Sequence, residues 1–117
     1  MNFLEGRLGE DALALNGGGA VALPGALTAA LRGRELALGI RPEHLVRCAP
    51  GEAMLQATVE LLEHLGADTI VHARIGPQPL LVRLAQPDGL APGAALALRA
   101  APEALHWFAC DTGRRID

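Results

Sequence analysis

Lysine, serine and tyrosine are absent from this chain, and each absence excludes a class of chemistry. A phosphate-cradling loop of the form G-x-x-x-x-G-K-[ST] needs its lysine to reach the phosphates. The ten arginines do not replace it, and the glycine cluster Asn16-Gly17-Gly18-Gly19 is followed by neither Lys-Ser nor Lys-Thr. Without serine there is no serine nucleophile. Cys48 stands four residues from His44, a spacing that reads as loop proximity rather than a base–nucleophile pair. Glu60 and Glu63 read as a solvated face. No enzyme is expected from these residues alone. Two Phe, one Trp and a net charge of −3 argue against the stacking platform and basic groove of a nucleic-acid surface. No run of five like charges forms an arm or tail, and no apolar run is long enough to cross a bilayer. The opening Met1-Asn2-Phe3-Leu4-Glu5 has no cationic stretch before an apolar one, so it does not read as a secretory signal and a cytosolic setting is expected. The two cysteines, Cys48 and Cys110, lie outside any C-x-x-C and the four histidines outside any H-x-x-x-H, so free thiols are expected and zinc is not.

What is present is an aliphatic, turn-rich chain. Half of the residues are apolar, and 14 Gly and 8 Pro are spread along the 117 positions. Frequent turns between short apolar runs point to one all-β domain over residues 1–117. Met1 to Leu8 alternates, with Phe3, Glu5 and Arg7 on one parity and Asn2, Leu4 and Leu8 on the other. Ala12 to Leu15 and Ala20 to Leu23 flank the glycine cluster, whose residues tolerate the positive φ of a hairpin turn. Ala26 to Leu31 has helix-forming composition over one or two turns, stopped by Gly33. Further strands are expected at Glu35 to Ile40, Leu80 to Leu84, Ala94 to Ala100 and Leu105 to Ala109. Turns fall at Pro50-Gly51, Pro77-Gln78-Pro79, Pro87-Asp88-Gly89, Ala101-Pro102-Glu103 and Asp111-Thr112-Gly113.

Met54 to Leu65 fits two periods. Val59, Leu62 and Leu65 suit a helix, whereas Ala57, Val59 and Leu61 alternate. The following Gly66-Ala67-Asp68 is turn chemistry, and Thr69 to Ile75 is rich in β-branched residues, which favours a hairpin. A three-residue loop then puts Val59, Leu61, Leu65, Val71, Ala73 and Ile75 on one face. Thr58, Glu60, His64, His72 and Arg74 take the other, together with Leu62 and Ile70, so that Glu60 falls opposite Arg74 and His64 shares a face with His72.

The most informative stretch is Leu38-Gly39-Ile40-Arg41-Pro42-Glu43-His44. An alternating run ends at Arg41, which Pro42 holds extended, and a turn opens with Glu43 and His44. This string resembles a signature of the C-terminal regulatory domain, often called TOBE, of ATP-binding subunits in ABC importers of the maltose/glycerol-3-phosphate family. Met1-Asn2-Phe3-Leu4-Glu5-Gly6 is similar to the join between nucleotide-binding and regulatory domains of that family. Val59-Glu60-Leu61-Leu62-Glu63-His64-Leu65-Gly66-Ala67-Asp68-Thr69 is similar to its central hairpin. His106-Trp107-Phe108 with Asp111 to Ile116 resembles its closing strand, although the family's common Phe-Asp is Phe108-Ala109 here. The four strings occur in order and span nearly the whole chain.

The resemblance implies an OB-like barrel of short antiparallel strands and a non-catalytic scaffold for regulation and dimerisation. Expected partners are a second copy of the subunit, its own upstream nucleotide-binding domain and, indirectly, the importer's membrane subunits, at the cytoplasmic face of the inner membrane. It implies no cofactor in this domain; ATP and Mg belong to the upstream domain. Met1 matches an internal Met of such proteins, which implies a domain of a longer chain. Arg41, Pro42, Glu43, Gly66 and Asp68 are the expected interaction surface. Arg41 and Glu43 flank a rigid turn, and Gly66 and Asp68 sit at a hairpin tip. An internal Arg41–Glu43 pair is the competing role. A small-ligand module binding an oxyanion such as molybdate is the alternative function, since related barrels hold oxyanions.

Overall fold

The computed structural model describes residues 1–25 and 29–116. The short helix expected at Ala26 to Leu31 falls partly on residues 26–28, outside the described residues. Ten strands are described: β1 (Asn2–Leu8), β2 (Ala12–Leu15), β3 (Ala20–Ala22), β4 (Glu35–Ile40), β5 (Val46–Arg47), β6 (Leu55–Leu65), β7 (Asp68–Ile75), β8 (Gln78–Leu84), β9 (Ala95–Arg99) and β10 (His106–Ala109). They form two five-stranded antiparallel sheets, ordered β10-β4-β1-β2-β3 and β5-β9-β6-β7-β8. The all-β, OB-like architecture expected from the sequence is the one observed.

Alternation explains most strands. In β1 the even positions Asn2, Leu4, Gly6 and Leu8 face inward, while Phe3, Glu5 and Arg7 face out. Leu4, Leu13, Val21, Leu36, Leu38 and Ile40 of one sheet meet Val71, Val82, Leu80, Leu96 and Leu98 of the other, each at most 1% exposed. Each such side chain contributes about 1.5–3 kcal/mol relative to exposure. Trp107, opposite Leu38, is a core ring. The glycine cluster turns β2 into β3, with φ of 90°, 122° and 87° at Gly17, Gly18 and Gly19.

The central hairpin departs from the expected register. Its loop has two residues, since Leu65 pairs with Asp68, and a β-bulge lies between Val59 and Leu61. A bulge inserts one unpaired residue and so inverts the facing of everything beyond it. Val59, Val71, Ala73 and Ile75 are buried as expected. Leu61 and Leu65, expected on the same face, are instead 47% and 54% exposed. His64 pairs with Thr69 and His72 with Leu61, so the two histidines lie on opposite faces rather than together. Glu60 still reaches Arg74, at 2.7 Å.

Two further differences concern β5 and β8. Val46-Arg47 adds a short strand to β9 that periodicity over two residues does not reveal. The expected turn at Pro77-Gln78-Pro79 is already strand from Gln78, with Pro79 opposite Arg74. Proline lacks the N–H of an inner ladder, and β8 is the edge of its sheet, where that loss is tolerated.

The sheets are joined along two seams. At one, the Ala22 N–H donates to the Met54 carbonyl at 2.7 Å, linking β3 to the start of β6. At the other, side chains take the place of backbone pairing. The Asn2 Nδ2 donates to the Leu81 carbonyl at 2.7 Å, and the Leu81 N–H donates to Asn2 Oδ1 at 2.8 Å. Gln78 repeats this with Glu5, donating to its carbonyl and accepting from its N–H, both at 2.8 Å. Two amides thus stitch β1 to β8.

Candidate interaction surface

The Arg41 turn is anchored from both sides. Ile40 before it is fully buried and Leu45 after it is 2% exposed. Arg41 is extended, with φ −70° and ψ 142°, and Pro42 opens a single 3-10 turn over Pro42–His44. The His44 N–H closes the turn on the Arg41 carbonyl at 3.0 Å. The turn packs on β8. Arg41 and Glu43 are exposed, and among the described residues neither makes an ion pair or side-chain hydrogen bond. The internal Arg41–Glu43 pair considered above is therefore not formed; the two charged groups point from a fixed turn into solvent.

Gly66 and Asp68 are placed differently. Gly66 is at the exposed hairpin tip. Asp68 accepts from Arg83 Nε at 2.8 Å, so its charge is used within the domain. Among the described residues, no hydrogen bond or ion pair connects this tip to the Arg41 turn. Arg41, Pro42 and Glu43 form one local feature, and Gly66 with Asp68 another.

Sequence reasoning passed over an apolar feature next to the turn. Asn2 pairs with Ile40, so Met1 and Arg41 leave the sheet at the same end. Met1, Phe3, His72, Pro79 and Leu81 line a groove of 460 Å³ where the sheets meet. Phe3 meets Phe108 edge-on, at 5.2 Å between ring centroids and 74° between planes. Gly39 makes this possible: a Cβ there would lie 2.7 Å from Met1 Sδ and 2.8 Å from the Phe108 ring. The signal was present in the alternation, because Phe3 shares its parity with Glu5 and Arg7, and Leu81 with Arg83.

A second concavity, of 380 Å³, lies against the glycine turn and is lined by Glu5, Asn16, Gly17, Pro77, Gln78 and Pro79. It has a carboxylate and no cationic side chain, the wrong polarity for an oxyanion. Cys48 and Cys110 carry free thiols. Cys110 has its pKa raised, first by lost hydration and then by the carboxylates of Glu5, Glu35 and Asp111. Its thiolate is thus the minor form near neutral pH, which does not suit a nucleophile. Among the described residues there is no helix long and apolar enough to cross a membrane.

A curled pair of antiparallel sheets with a strand–Pro–turn signature defines the class, an OB-like β-barrel module. The TOBE domain model matches residues 38–108 and the MalK OB fold domain model residues 1–45, and the chain belongs to the TOBE domain family. Similar proteins include the sn-glycerol-3-phosphate import ATP-binding protein UgpC of Shigella boydii, 39% identical over 119 residues covering 99% of this chain and 33% of that protein. The protein of the same name from Escherichia coli K12 is 38% identical with the same coverage. That from Burkholderia ambifaria is 40% identical over 121 residues, covering 98% and 33%. The chain thus spans about a third of the length of the curated relatives it matches. Among solved structures, the cytoplasmic molybdate-binding protein ModG, described with molybdate bound, superposes with a TM-score of 0.67 over 92% of this chain and 95% of that one. At 14% identity that likeness concerns the fold.

Proposed function

We propose that this chain is the C-terminal regulatory domain of the ATP-binding subunit of an ABC importer for glycerol-3-phosphate or a sugar. It is a non-catalytic scaffold for contacts between subunits. The carrying observation is the match to UgpC proteins at 38–40% identity across essentially the whole chain, together with the TOBE match. In this reading ATP and Mg are bound by the upstream domain. The partners are a second copy of the subunit, that nucleotide-binding domain and the importer's membrane subunits, at the cytoplasmic face of the inner membrane. Arg41 and Glu43 suit a contact role, because their unpaired charges stand on a rigid turn. An arginine so held offers a bidentate fork to a carboxylate on a partner.

Two results test this. Calorimetry and thermal shift on the 117-residue chain are expected to detect neither Mg-ATP nor molybdate. The chain lacks a phosphate loop, and Glu5 faces the concavity at the glycine turn. Saturable binding of Mg-ATP would sink the non-catalytic reading, and a dose-dependent rise in melting temperature with molybdate would favour the oxyanion module.

In the parent subunit, Arg41→Ala and Glu43→Ala are expected to shift stability by no more than about 0.5 kcal/mol, as for surface residues without partners. Arg41→Ala is expected to weaken subunit association by about tenfold or more, the scale of losing one side of a desolvated charge pair. Solute-stimulated ATP hydrolysis falls with it. Normal association and hydrolysis in both variants would remove this turn from the functional surface.

A further inference from the structure

We propose that the groove between β1 and β8 is an intramolecular docking surface, occupied in the parent subunit by the polypeptide that precedes this domain. The inference rests on the reading of the chain as a C-terminal regulatory domain, and it names the surface through which that domain meets the rest of its own subunit.

The groove has the properties of a binding hot spot. Phe3, Met1 and Leu81 are 51%, 45% and 39% exposed, although apolar. Two of the three are anchored. Phe3 is fixed edge-on to Phe108 over Gly39, and Leu81 has its N–H and carbonyl bound by Asn2. A preorganised aromatic surface loses little entropy on docking, and clusters of this kind dominate interface energies. On the neighbouring outer face the polar side chains are partnered internally: Arg74 with Glu60, His72 with Glu63, Arg83 with Asp68. Arg41 and Glu43, on and beside the turn that packs against β8, are not paired.

The length of the relatives selects the occupant. The matched stretch is 33% of their length, so a subunit of that size has twice as much polypeptide outside this domain as within it. In a subunit ordered as proposed, the preceding polypeptide enters β1 through Met1, which is itself in the groove wall. A body tethered there has a local concentration in the millimolar range and needs little surface to dock. A second copy has no such advantage. A stable dimer needs roughly 20–30 residues a side, far beyond this cluster.

The test is accessibility of a thiol placed in the groove. Leu81→Cys is introduced with Cys48→Ala and Cys110→Ala, both in the 117-residue chain and in the parent subunit, and maleimide labelling is timed. Protection of about tenfold or more is expected in the parent, as tethering at millimolar effective concentration provides, and it does not change with subunit concentration. Phe3→Thr, a strand-compatible change, is expected to restore fast labelling in the parent while buried Trp107 keeps its wild-type emission. Equal labelling rates in the two proteins overturn the proposal. Protection that grows with subunit concentration also overturns it, by assigning the groove to a second copy. Labelling does not depend on ATP hydrolysis, so failure of the importer reading would appear in hydrolysis and association with the labelling result intact.

Discussion

Asn2→Ala is expected to destabilise the isolated domain by about 1–3 kcal/mol, because it leaves the part-buried N–H and carbonyl of Leu81 without their partner. Asn2 is 8% exposed, so water does not readily replace the lost amide. In sequence the residue is an uncharged member of the inward parity of β1. Its weight comes from a partner 79 positions away. Asn2→Asp separates hydrogen bonding from size. A carboxylate still accepts from the Leu81 N–H but has nothing to donate to the Leu81 carbonyl, so it recovers only part of the loss. Gln78→Ala is expected to cost less, about 1 kcal/mol, since its bonds to Glu5 are exposed and water competes for them. Urea titrations followed by Trp107 fluorescence read all three. A midpoint for Asn2→Ala equal to wild type would show that the amide seam does not hold the sheets together.

Gly6→Val is expected to abolish folding, and Gly6→Ala to cost about 3 kcal/mol or more, at or above the upper end of ordinary overpacking. A Cβ on Gly6 would lie 2.2 Å from the Ala14 carbonyl oxygen and 3.0 Å from the Leu15 Cα. Both neighbours are backbone, which cannot rotate aside as a side chain does. Gly6 is also paired on both edges, with Leu15 of β2 and Leu36 of β4, so relief on one side strains the other. Gly51→Ala is the control, because its added Cβ meets nothing within 4 Å. The readouts are soluble yield and the urea midpoint. A folded Gly6→Val protein with wild-type stability would mean that β1 and β2 separate more easily than their pairing implies.

These two sites show how a residue's neighbourhood in sequence can mislead. Gly6 has no side chain for the alternation to read, yet its missing Cβ is what lets β2 approach. Asn2 reads as one more residue on the parity of Leu4 and Leu8, yet it closes a seam. The Arg41 turn was legible, since Pro42 restricts its own φ and its predecessor's whatever the surroundings. The groove beside it was legible only in part. Phe3 on the polar parity of β1 and Leu81 on that of β8 were each visible, but their meeting depends on the two sheets closing.

The sequence by itself determined the all-β class, the positions of most strands and the turn at Arg41-Pro42. Alternation with period two and the backbone limits of glycine and proline act over a few residues and need no partner. The tertiary structure alone decided the facing of Leu61 and Leu65, the separation of His64 from His72, the pairing of Asn2 and Gln78 across the seam, and the groove. The physical reason is that β6 serves two neighbours at once. Leu55 to Thr58 pair with β9, and the Gly93 N–H and Ala94 carbonyl still hold Val59 on that side, whereas Leu61 to Leu65 pair only with β7. One extra residue at Glu60 lets the strand bend where one neighbour ends, and that place is set by strands far away in the chain.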